Sequence, residues 1–227
     1  MEKCWFYSSC NHKDCENTFC IKKYKLDFLY TNSLLTTSQR EKTRLYIEQN
    51  GTDYTEYTKL ANIEKNIVSF VQDGTNLFIY SANPGTGKTS WAVRLIQAYL
   101  NIIWPGSDLV CRALFVSVPR LLIAIKENIV TKNDYATFVK ENILEADLVV
   151  WDDIGAQLGT EFENNQLLSF IDSRIVAGKA NVYTSNLNKA QLIATIGDRL
   201  TSRVFNLSTI IQFQGTDKRG VKIGGNN

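Results

Sequence analysis

An apolar strand that runs into a glycine-rich loop and then into a helix is the feature that most constrains this chain of 227 residues. The apolar run begins at Leu77, the loop reads Ser-Ala-Asn-Pro-Gly-Thr-Gly-Lys-Thr-Ser over 81–90, and apolar residues at helical spacing follow. Glycines let the backbone wrap around an anion, and the amides at the positive end of a helix bind phosphate oxygens. The segment therefore predicts a site for a nucleoside triphosphate.

Individual positions of this loop have expected contacts. Lys88 is expected to reach the terminal phosphates, and Thr89 to offer its hydroxyl to Mg²⁺. Ala82 stands where the pattern GxxxxGK[ST] has its first glycine, so the backbone there must adopt a torsion that an L-residue tolerates. The same segment also fits a glycine-rich turn that joins a strand to a helix and binds no nucleotide. The predicted nucleotide-binding residues are Asn83, Pro84, Gly85, Thr86, Gly87, Lys88, Thr89 and Ser90.

Composition indicates a soluble protein with a sizeable core. The hydrophobic content is 44%, enough for one α/β domain or for a core with a small appendage. A net charge of +2 does not by itself indicate a nucleic-acid partner. The sequence shows no run long enough to span a membrane and no secretory signal, so it predicts a cytoplasmic protein with reduced thiols.

Four of the five cysteines and the single histidine lie within the first twenty residues. In a reducing compartment such a cluster favours tetrahedral Zn²⁺ held by four thiolates or by three thiolates and one imidazole. The spacing differs from paired CxxC knuckles, so two alternatives stay open, namely unligated reduced cysteines and an iron–sulfur cluster. The candidate zinc ligands, of which four would bind, are Cys4, Cys10, His12, Cys15 and Cys20.

Strand and helix patterns alternate from residue 60 onward. This alternation predicts an α/β fold with a five-stranded, mostly parallel sheet and ligands at the carboxyl ends of its strands. The chain accordingly divides into a small Cys-rich N-terminal module, 1–59, and a nucleotide-binding domain, 60–227. Strands are predicted at 77–81, 113–118, 148–151, 182–185 and 209–213, and helices at 60–72, 90–104, 119–125, 134–145 and 162–177.

Polar residues follow two of these strands. Asp152 suits the water shell of Mg²⁺, and Asp153 is expected to orient the attacking water and accept its proton. Asn186, at the end of the fourth strand, is expected to contact the γ-phosphate or that water. Alone, the two acids fit a solvated turn and the Thr-Ser-Asn segment fits a helix cap. The phosphate loop favours the catalytic interpretation of both.

Taken in order, these motifs resemble the AAA+ ATPases and, within them, the DnaC/IstB-like helicase loaders of bacteria and phages. The resemblance covers 60–219. It implies a P-loop AAA+ core, ATP as the nucleotide, and ATP-linked assembly of a homo-oligomer. Because the chain ends soon after the fifth predicted strand, the helical lid of many AAA+ proteins is not expected here. The matching motifs are Gly-Thr-Gly-Lys-Thr at 85–89, Asp-Asp-Ile-Gly at 152–155, Thr-Ser-Asn-Leu at 184–187 and Arg-Leu-Thr-Ser-Arg at 199–203.

The resemblance also implies a role for each matching residue. Lys88 and Thr89 would belong to Walker A, Asp152 and Asp153 to Walker B, and Asn186 would be sensor one. The arginine finger that acts on a neighbouring subunit's nucleotide would be Arg203, with Arg199 as a second candidate and Arg219 as a substitute for the sensor-two arginine. From spacing alone, Arg199 and Arg203 also fit intramolecular ion pairs.

The partners implied by the resemblance are a replicative DnaB-type helicase, single-stranded DNA and further copies of the chain, with no membrane. The cysteine-rich start resembles the modules with which some loaders hold the helicase. Two other functions stay open at this point. One is an IstB-like transposition helper with the same ATPase core, and the other is a zinc-dependent adaptor in which the nucleotide only switches conformation.

Overall fold

The computed structural model describes residues 20–40, 45 and 51–218. Five residues with predicted roles lie outside this part of the chain, and their roles stay predictions. They are Cys4, Cys10, His12 and Cys15 among the candidate zinc ligands, and Arg219. Within the described residues, no helix has the length and apolar character needed to cross a bilayer.

Helices and strands alternate through most of the described residues. The helices are α1 (Ile21–Asn32), α2 (Thr37–Arg40), α3 (Tyr54–Lys65), α4 (Ile67–Gln72), α5 (Lys88–Ile103), α6 (Val118–Glu127), α7 (Asp134–Asn142), α8 (Glu161–Val176), α9 (Lys189–Ile196) and α10 (Asp198–Thr201). The strands are β1 (Asn76–Tyr80), β2 (Ala113–Ser117), β3 (Leu148–Asp152), β4 (Ala180–Ser185) and β5 (Thr209–Gln212). A π-helical turn, Ser202–Asn206, continues α10.

The strands form one parallel sheet in the order β2-β3-β4-β1-β5. The α/β class and the five-stranded sheet are therefore confirmed, and every pairing in the sheet is parallel. The strand that ends at the two acids, β3, does not neighbour β1, the strand that leads into the loop. Strand β4 lies between them, since Val182 pairs with Leu77 on one side and with Val150 on the other.

Two apolar layers cover the sheet, one on each face. Leu77 and Ile79 of β1 belong to the layer that includes α1, α3, α4 and α5, and Phe78 belongs to the layer on the opposite face. Side chains of a strand alternate between faces, so a strand covered on both sides is apolar throughout. This is why β1 and β3 are visible in the sequence as continuous apolar runs.

Helix α1 belongs to the same core as the sheet. Leu26, Leu29 and Tyr30 are at most 2% exposed and pack with side chains of α5 and β2. Helix α3 begins at Tyr54 and passes through the predicted boundary between 59 and 60. A separate module formed by residues 1–59 stays a prediction, and the described part of that range contributes to the core of the nucleotide-binding domain.

The single helix predicted at 60–72 is wrong, because two helices occupy this stretch. Asn66 leaves the helical conformation with φ −109° and ψ 28° and separates α3 from α4. Its side-chain amide donates to the carbonyl of Asn62 at 3.0 Å. Asparagine competes for backbone hydrogen bonds in this way, which explains a break that apolar spacing alone does not reveal.

Candidate nucleotide site

The loop between β1 and α5 has the backbone conformation of an anion cradle. Gly85 and Gly87 both have positive φ, +69° and +98°, and Gly87 caps the 16-residue helix α5. Side-chain-bearing residues rarely adopt such torsions, so both glycines are required by the path of the loop. Ala82 is tolerated because its φ is not positive; among the described non-glycine residues only Leu34 and Asp153 have positive φ.

Lys88 and Thr89 begin helix α5 at the end of this loop. The Lys88 side chain is 6% exposed, and its Nζ donates to the carbonyl of Asn83 at 3.3 Å. Beside it lies a cleft of about 270 Å³. The residues that line the cleft are Pro84, Gly85, Gly87, Lys88, Thr89, Ser90, Asp153 and Asn186. Residues predicted from separate motifs are thus brought together around one cleft.

Asp152 lies directly behind Thr89, at the end of β3. Its Oδ1 accepts hydrogen bonds from Thr89 Oγ1 at 2.9 Å and from Thr184 Oγ1 at 2.7 Å. Burial raises the pKa of the carboxyl to about 6, against the lowering effect of the Thr184 and Thr89 hydroxyls and of Lys88. A hydroxyl and a carboxylate side by side are hard oxygen donors, and this donor set fits Mg²⁺.

Asp153 lies in the turn that directly follows β3. Its φ is +57°, in the left-handed region that aspartate tolerates better than most residues. The backbone N–H donates to Thr184 Oγ1 at 2.9 Å, and the residue lines the cleft together with Asn186. The two adjacent acids therefore have different surroundings, one buried behind Thr89 and one at the cleft.

Asn186 is not the cap of the following helix. Helix α9 is capped by Asn188, whose side chain accepts from the backbone of Gln191 while the Gln191 side chain accepts from the backbone of Asn188. The helix-cap interpretation of the Thr-Ser-Asn segment thus applies to a residue two positions later. Asn186 itself lies at the cleft, opposite the phosphate loop.

Arg203 is not among the residues that line the nucleotide cleft. It lies in the π-helical turn after α10, where its Nε donates to Oδ1 of Asp172 on α8. With Arg199, Lys189 and Asp198 it lines a different surface depression of about 560 Å³. The intramolecular ion pair that spacing allowed is therefore present for Arg203.

A strap formed by residues 214–218 crosses the phosphate loop, and the sequence analysis missed it. The buried carboxylate of Asp53 accepts the N–H groups of Gln214 and Gly215 at 2.7 and 3.0 Å. The N–H of Lys218 donates to the carbonyl of Gly85 at 2.9 Å. Asp217 lies so close that a Cβ at Gly85 would come within 1.8 Å of its Oδ1.

Tyr57 holds the other side of this strap. Its hydroxyl donates to the carbonyl of Thr86 at 3.4 Å, and Lys218 Nζ donates to the same hydroxyl and lies 4.3 Å from the ring centroid. Burial raises the pKa of Tyr57 to about 12. Asp53 precedes α3 and Tyr57 lies in its first turn, four positions later. Neither residue belongs to a sequence motif that predicts these contacts.

Cys20, the one candidate zinc ligand within the described residues, is half-buried immediately before α1. No group of three or more His, Cys, Asp or Glu side chains in the described part of the chain could hold a metal ion. Because the other four candidate ligands lie outside that part, the zinc site stays a prediction. Cys111 is buried, which raises the pKa of its thiol to about 12 and leaves it unreactive at neutral pH.

The model of the family described as "IstB-like ATP binding protein" matches residues 39–217, from α2 through most of the strap. This chain belongs to that family. The match includes the phosphate loop, both acids, Asn186 and Arg203, and the resemblance seen in the sequence is confirmed.

Among curated proteins the chain is similar to the replicative helicase loader DnaC of Escherichia coli K12. The two are 23% identical over 127 residues, which is 56% of this chain and 49% of DnaC. The loader DnaC of Buchnera aphidicola is 29% identical over 144 residues, 63% of this chain and 52% of that protein. The chain spans about half the length of the curated relatives it matches.

Two solved structures share the fold of this chain. A crystal structure of the DnaC helicase loader superposes with a TM-score of 0.60 at 18% identity, over 74% of this chain and 94% of that one. The replication initiator DnaA, bound to AMPPCP and single-stranded DNA, superposes with a TM-score of 0.57 at 20% identity, over 74% of this chain and 48% of that one. At these identities the likeness concerns the fold.

Proposed function

We propose that this chain is an ATPase that loads a replicative helicase of the DnaB type onto single-stranded DNA. The observation that carries the ATPase part is the 2.9 Å hydrogen bond from Thr89 to Asp152 behind a cleft that also contains Lys88. The loader part is supported by the relatives named as helicase loaders and by the shared fold.

The proposed chemistry assigns a task to each residue at the cleft. Loop amides and Lys88 bind the β- and γ-phosphates, and Thr89 and Asp152 hold Mg²⁺, which neutralises phosphate charge when bound. Asp153 orients a water molecule and accepts its proton while the water oxygen bonds to the γ-phosphorus. The bond from the γ-phosphorus to the bridging oxygen breaks, and ADP and phosphate leave. Asn186 contacts the γ-phosphate or the water.

Arg203 completes this site from a neighbouring copy of the chain. A guanidinium at the γ-phosphate stabilises the charge that develops during transfer, and Arg203 lies outside its own chain's cleft. Lys88→Ala and Arg203→Ala chains should each be nearly inactive alone. Mixed together they should recover a substantial fraction of turnover, because some interfaces then join an intact cleft to an intact arginine. Full turnover by a dilute monomer would overturn the trans arrangement.

The partner is best tested by ATP-dependent capture. With ATP, the immobilised chain should retain a purified DnaB-type helicase, and the Lys88→Ala variant should retain much less of it. Single-stranded oligonucleotide should bind with a steep dependence on salt. If instead the chain retains a transposase and duplex DNA, the IstB-like transposition helper is the correct function. ATP-dependent capture without any turnover would favour the switched adaptor.

The N-terminal cysteines complete the proposal. Zn²⁺ held by four of Cys4, Cys10, His12, Cys15 and Cys20 would order the segment that contacts the helicase, in a chain that works in the bacterial cytoplasm. Mass spectrometry of the native protein should find one zinc per chain. Loss of the zinc in a Cys4→Ser, Cys15→Ser double variant, with loss of helicase capture and unchanged ATP affinity, supports this assignment. A native protein without metal contradicts it.

A further inference from the structure

Thr184 lies at the centre of a hydrogen-bond cluster that joins the ends of β3 and β4. The residue is 0% exposed. Its hydroxyl lies 2.7 Å from Asp152 Oδ1 and 2.9 Å from the backbone nitrogen of Asp153. A hydroxyl has one proton to donate and two lone pairs, and the amide can only donate. The hydroxyl therefore donates to the carboxylate and accepts from the amide, and both of its neighbours are acids of the site.

The main chain of Thr184 fixes the same turn. Its carbonyl accepts the N–H of Ile154 at 2.9 Å, and the adjacent Ser185 hydroxyl donates to the carbonyl of Ile154 at 2.7 Å. These contacts hold Asp153 at φ +57°, a conformation that is unfavourable for an L-residue and persists where its surroundings enforce it. Strand β4 thus sets the backbone of the acid that lines the cleft.

We propose that Thr184 is a positioning residue for ATP hydrolysis. Its single hydroxyl holds the Asp152 carboxylate against Thr89 and fixes the backbone of Asp153, so that the metal-binding acid and the water-orienting acid keep a constant separation. The inference rests on the proposed ATPase function and deepens it. Thr184 is outside the lining of the cleft, so it acts only through the two acids.

Two substitutions separate the effect of the hydroxyl from the effect of side-chain size. Thr184→Val keeps the branched shape but withdraws a donor from Asp152 and an acceptor from Asp153, whereas Thr184→Ser keeps the hydroxyl and loses one methyl group. A displacement of about 1 Å in a catalytic group can cost roughly 100-fold in rate. The valine variant should therefore lose turnover and the serine variant should retain it.

Steady-state kinetics with MgATP, in the presence of whichever DNA or partner gives the highest wild-type rate, tests this. Thr184→Val should lower kcat by about 10- to 100-fold and raise KM for MgATP by about fivefold, and Thr184→Ser should stay within about threefold in both. Thr137→Val, on α7 and outside the lining of the cleft, is the control and should not change kcat. Equal damage by serine and valine, or a valine variant as active as wild type, would overturn the proposal.

A binding measurement separates this inference from the ATPase proposal. Calorimetry compares ATP affinity with Mg²⁺ and with EDTA, and needs no turnover. In wild type Mg²⁺ should tighten ATP binding, and in Thr184→Val this gain should shrink by about fivefold or more while EDTA-ATP affinity is retained. An undiminished gain in the valine variant contradicts the role of Thr184. A wild type that binds MgATP but never hydrolyses it contradicts the ATPase proposal instead.

Discussion

Thr89 Oγ1 donates to Asp152 Oδ1 at 2.9 Å, although 63 positions separate the two residues in the chain. The contact is made because α5 starts beneath the end of β3 and not because β1 and β3 are neighbours. Strand β4 intervenes, so the first turn of α5 must reach across it. The pair brings the hydroxyl of one motif and the carboxylate of another to the same place, beside the cleft.

Magnesium-dependent ATP binding should weaken as the pH falls through about 6. Burial raises the pKa of Asp152 to about 6, and a protonated carboxyl cannot bind a cation, so protons compete with Mg²⁺ in this range. The measurement is ATP affinity with and without Mg²⁺ from pH 8 to pH 5. The phosphates of ATP also take up a proton in this pH range. The Asp152→Asn variant has no carboxyl at this position, so its pH dependence measures the contribution of ATP alone. If the increase in ATP affinity caused by Mg²⁺ is constant from pH 8 to pH 5, the prediction is wrong.

Asp152→Asn should stabilise the nucleotide-free protein while it abolishes hydrolysis. The folded pKa is raised above the unfolded value, so the folded state binds the proton more tightly and loses stability as the pH rises between the two values. Above about pH 6 the carboxyl is charged in the folded state, and the free energy of unfolding is lowered by the full cost of burying that charge. Asparagine removes that charge and can still accept from Thr89 and Thr184, which should raise the free energy of unfolding by on the order of 2 kcal/mol.

Thermal melting in EDTA at pH 7.5 measures this effect. The same comparison at pH 4.5 is the control, because there the wild-type carboxyl is protonated in the folded state and the advantage of asparagine should shrink. A variant that melts below wild type at both pH values would show that Asp152 stabilises the apo fold, and the argument from burial would be wrong.

The central part of the fold was predictable because buried parallel strands are apolar on both faces. The runs that became β1 and β3 needed no knowledge of their neighbours. Helix α1 was missed because its buried residues, Leu26, Leu29 and Tyr30, are interleaved with lysines and aromatic residues that weaken its apolar pattern. Its burial depends on α5 and β2, which lie far away in the sequence.

The residues of the candidate site that belong to local motifs were predictable, and those that act through distant contacts were not. The loop, the acids and Asn186 were found because each belongs to a short local motif. Asp53 acts through hydrogen bonds to residues 161 and 162 positions away, and Thr184 through hydrogen bonds to residues 32 and 31 positions away. No local pattern encodes such bonds. The sequence did give one indication for Thr184. Thr184 and Ser185 are polar, and they end a strand whose residues are all buried. Buried polar groups of this kind need partners.

Asp53→Ala should loosen the strap over the phosphate loop. The buried carboxylate accepts from the backbone of Gln214 and Gly215, and its removal leaves two N–H groups without acceptors. The expected loss of stability is about 2–3 kcal/mol. Hydrogen exchange of the Gly215 and Lys218 amides should accelerate well before that of β1. Unchanged exchange at both amides would mean that Asp53 does not hold the strap.

Arg174 should be among the most sensitive residues outside the nucleotide site. The guanidinium is 0% exposed and donates to the carbonyls of Ile143, Ala146 and Ala180 at 2.5, 2.7 and 2.6 Å, and to Asn181 Oδ1 at 2.8 Å. Burial lowers its pKa to about 10, so it remains charged at neutral pH. Arg174→Ala removes these hydrogen bonds from buried acceptors, of which Asn181 Oδ1 keeps the N–H of Trp151, and should lower the free energy of unfolding in urea by about 3–5 kcal/mol.

Lysine at position 174 keeps the charge but not the planar fork that reaches carbonyls on several elements, so Arg174→Lys should rescue little of the loss. The control is Arg94→Ala, since Arg94 pairs with Glu64 at a partly exposed position and should cost less than about 1 kcal/mol. Similar midpoints for the two alanine variants would contradict the structural importance assigned to Arg174.

Truncation should separate the N-terminal cysteines from the core. A chain that lacks residues 1–19 keeps α1 and should melt like the full chain and bind ATP with equal affinity. A chain that lacks residues 1–50 loses Leu26, Leu29 and Tyr30, which are at most 2% exposed. Each buried side chain of this size contributes roughly 2 kcal/mol, and the sum is comparable to the stability of an ordinary domain. The longer deletion should therefore be unfolded at 37 °C, and a cooperative melt above that temperature would show that α1 is dispensable.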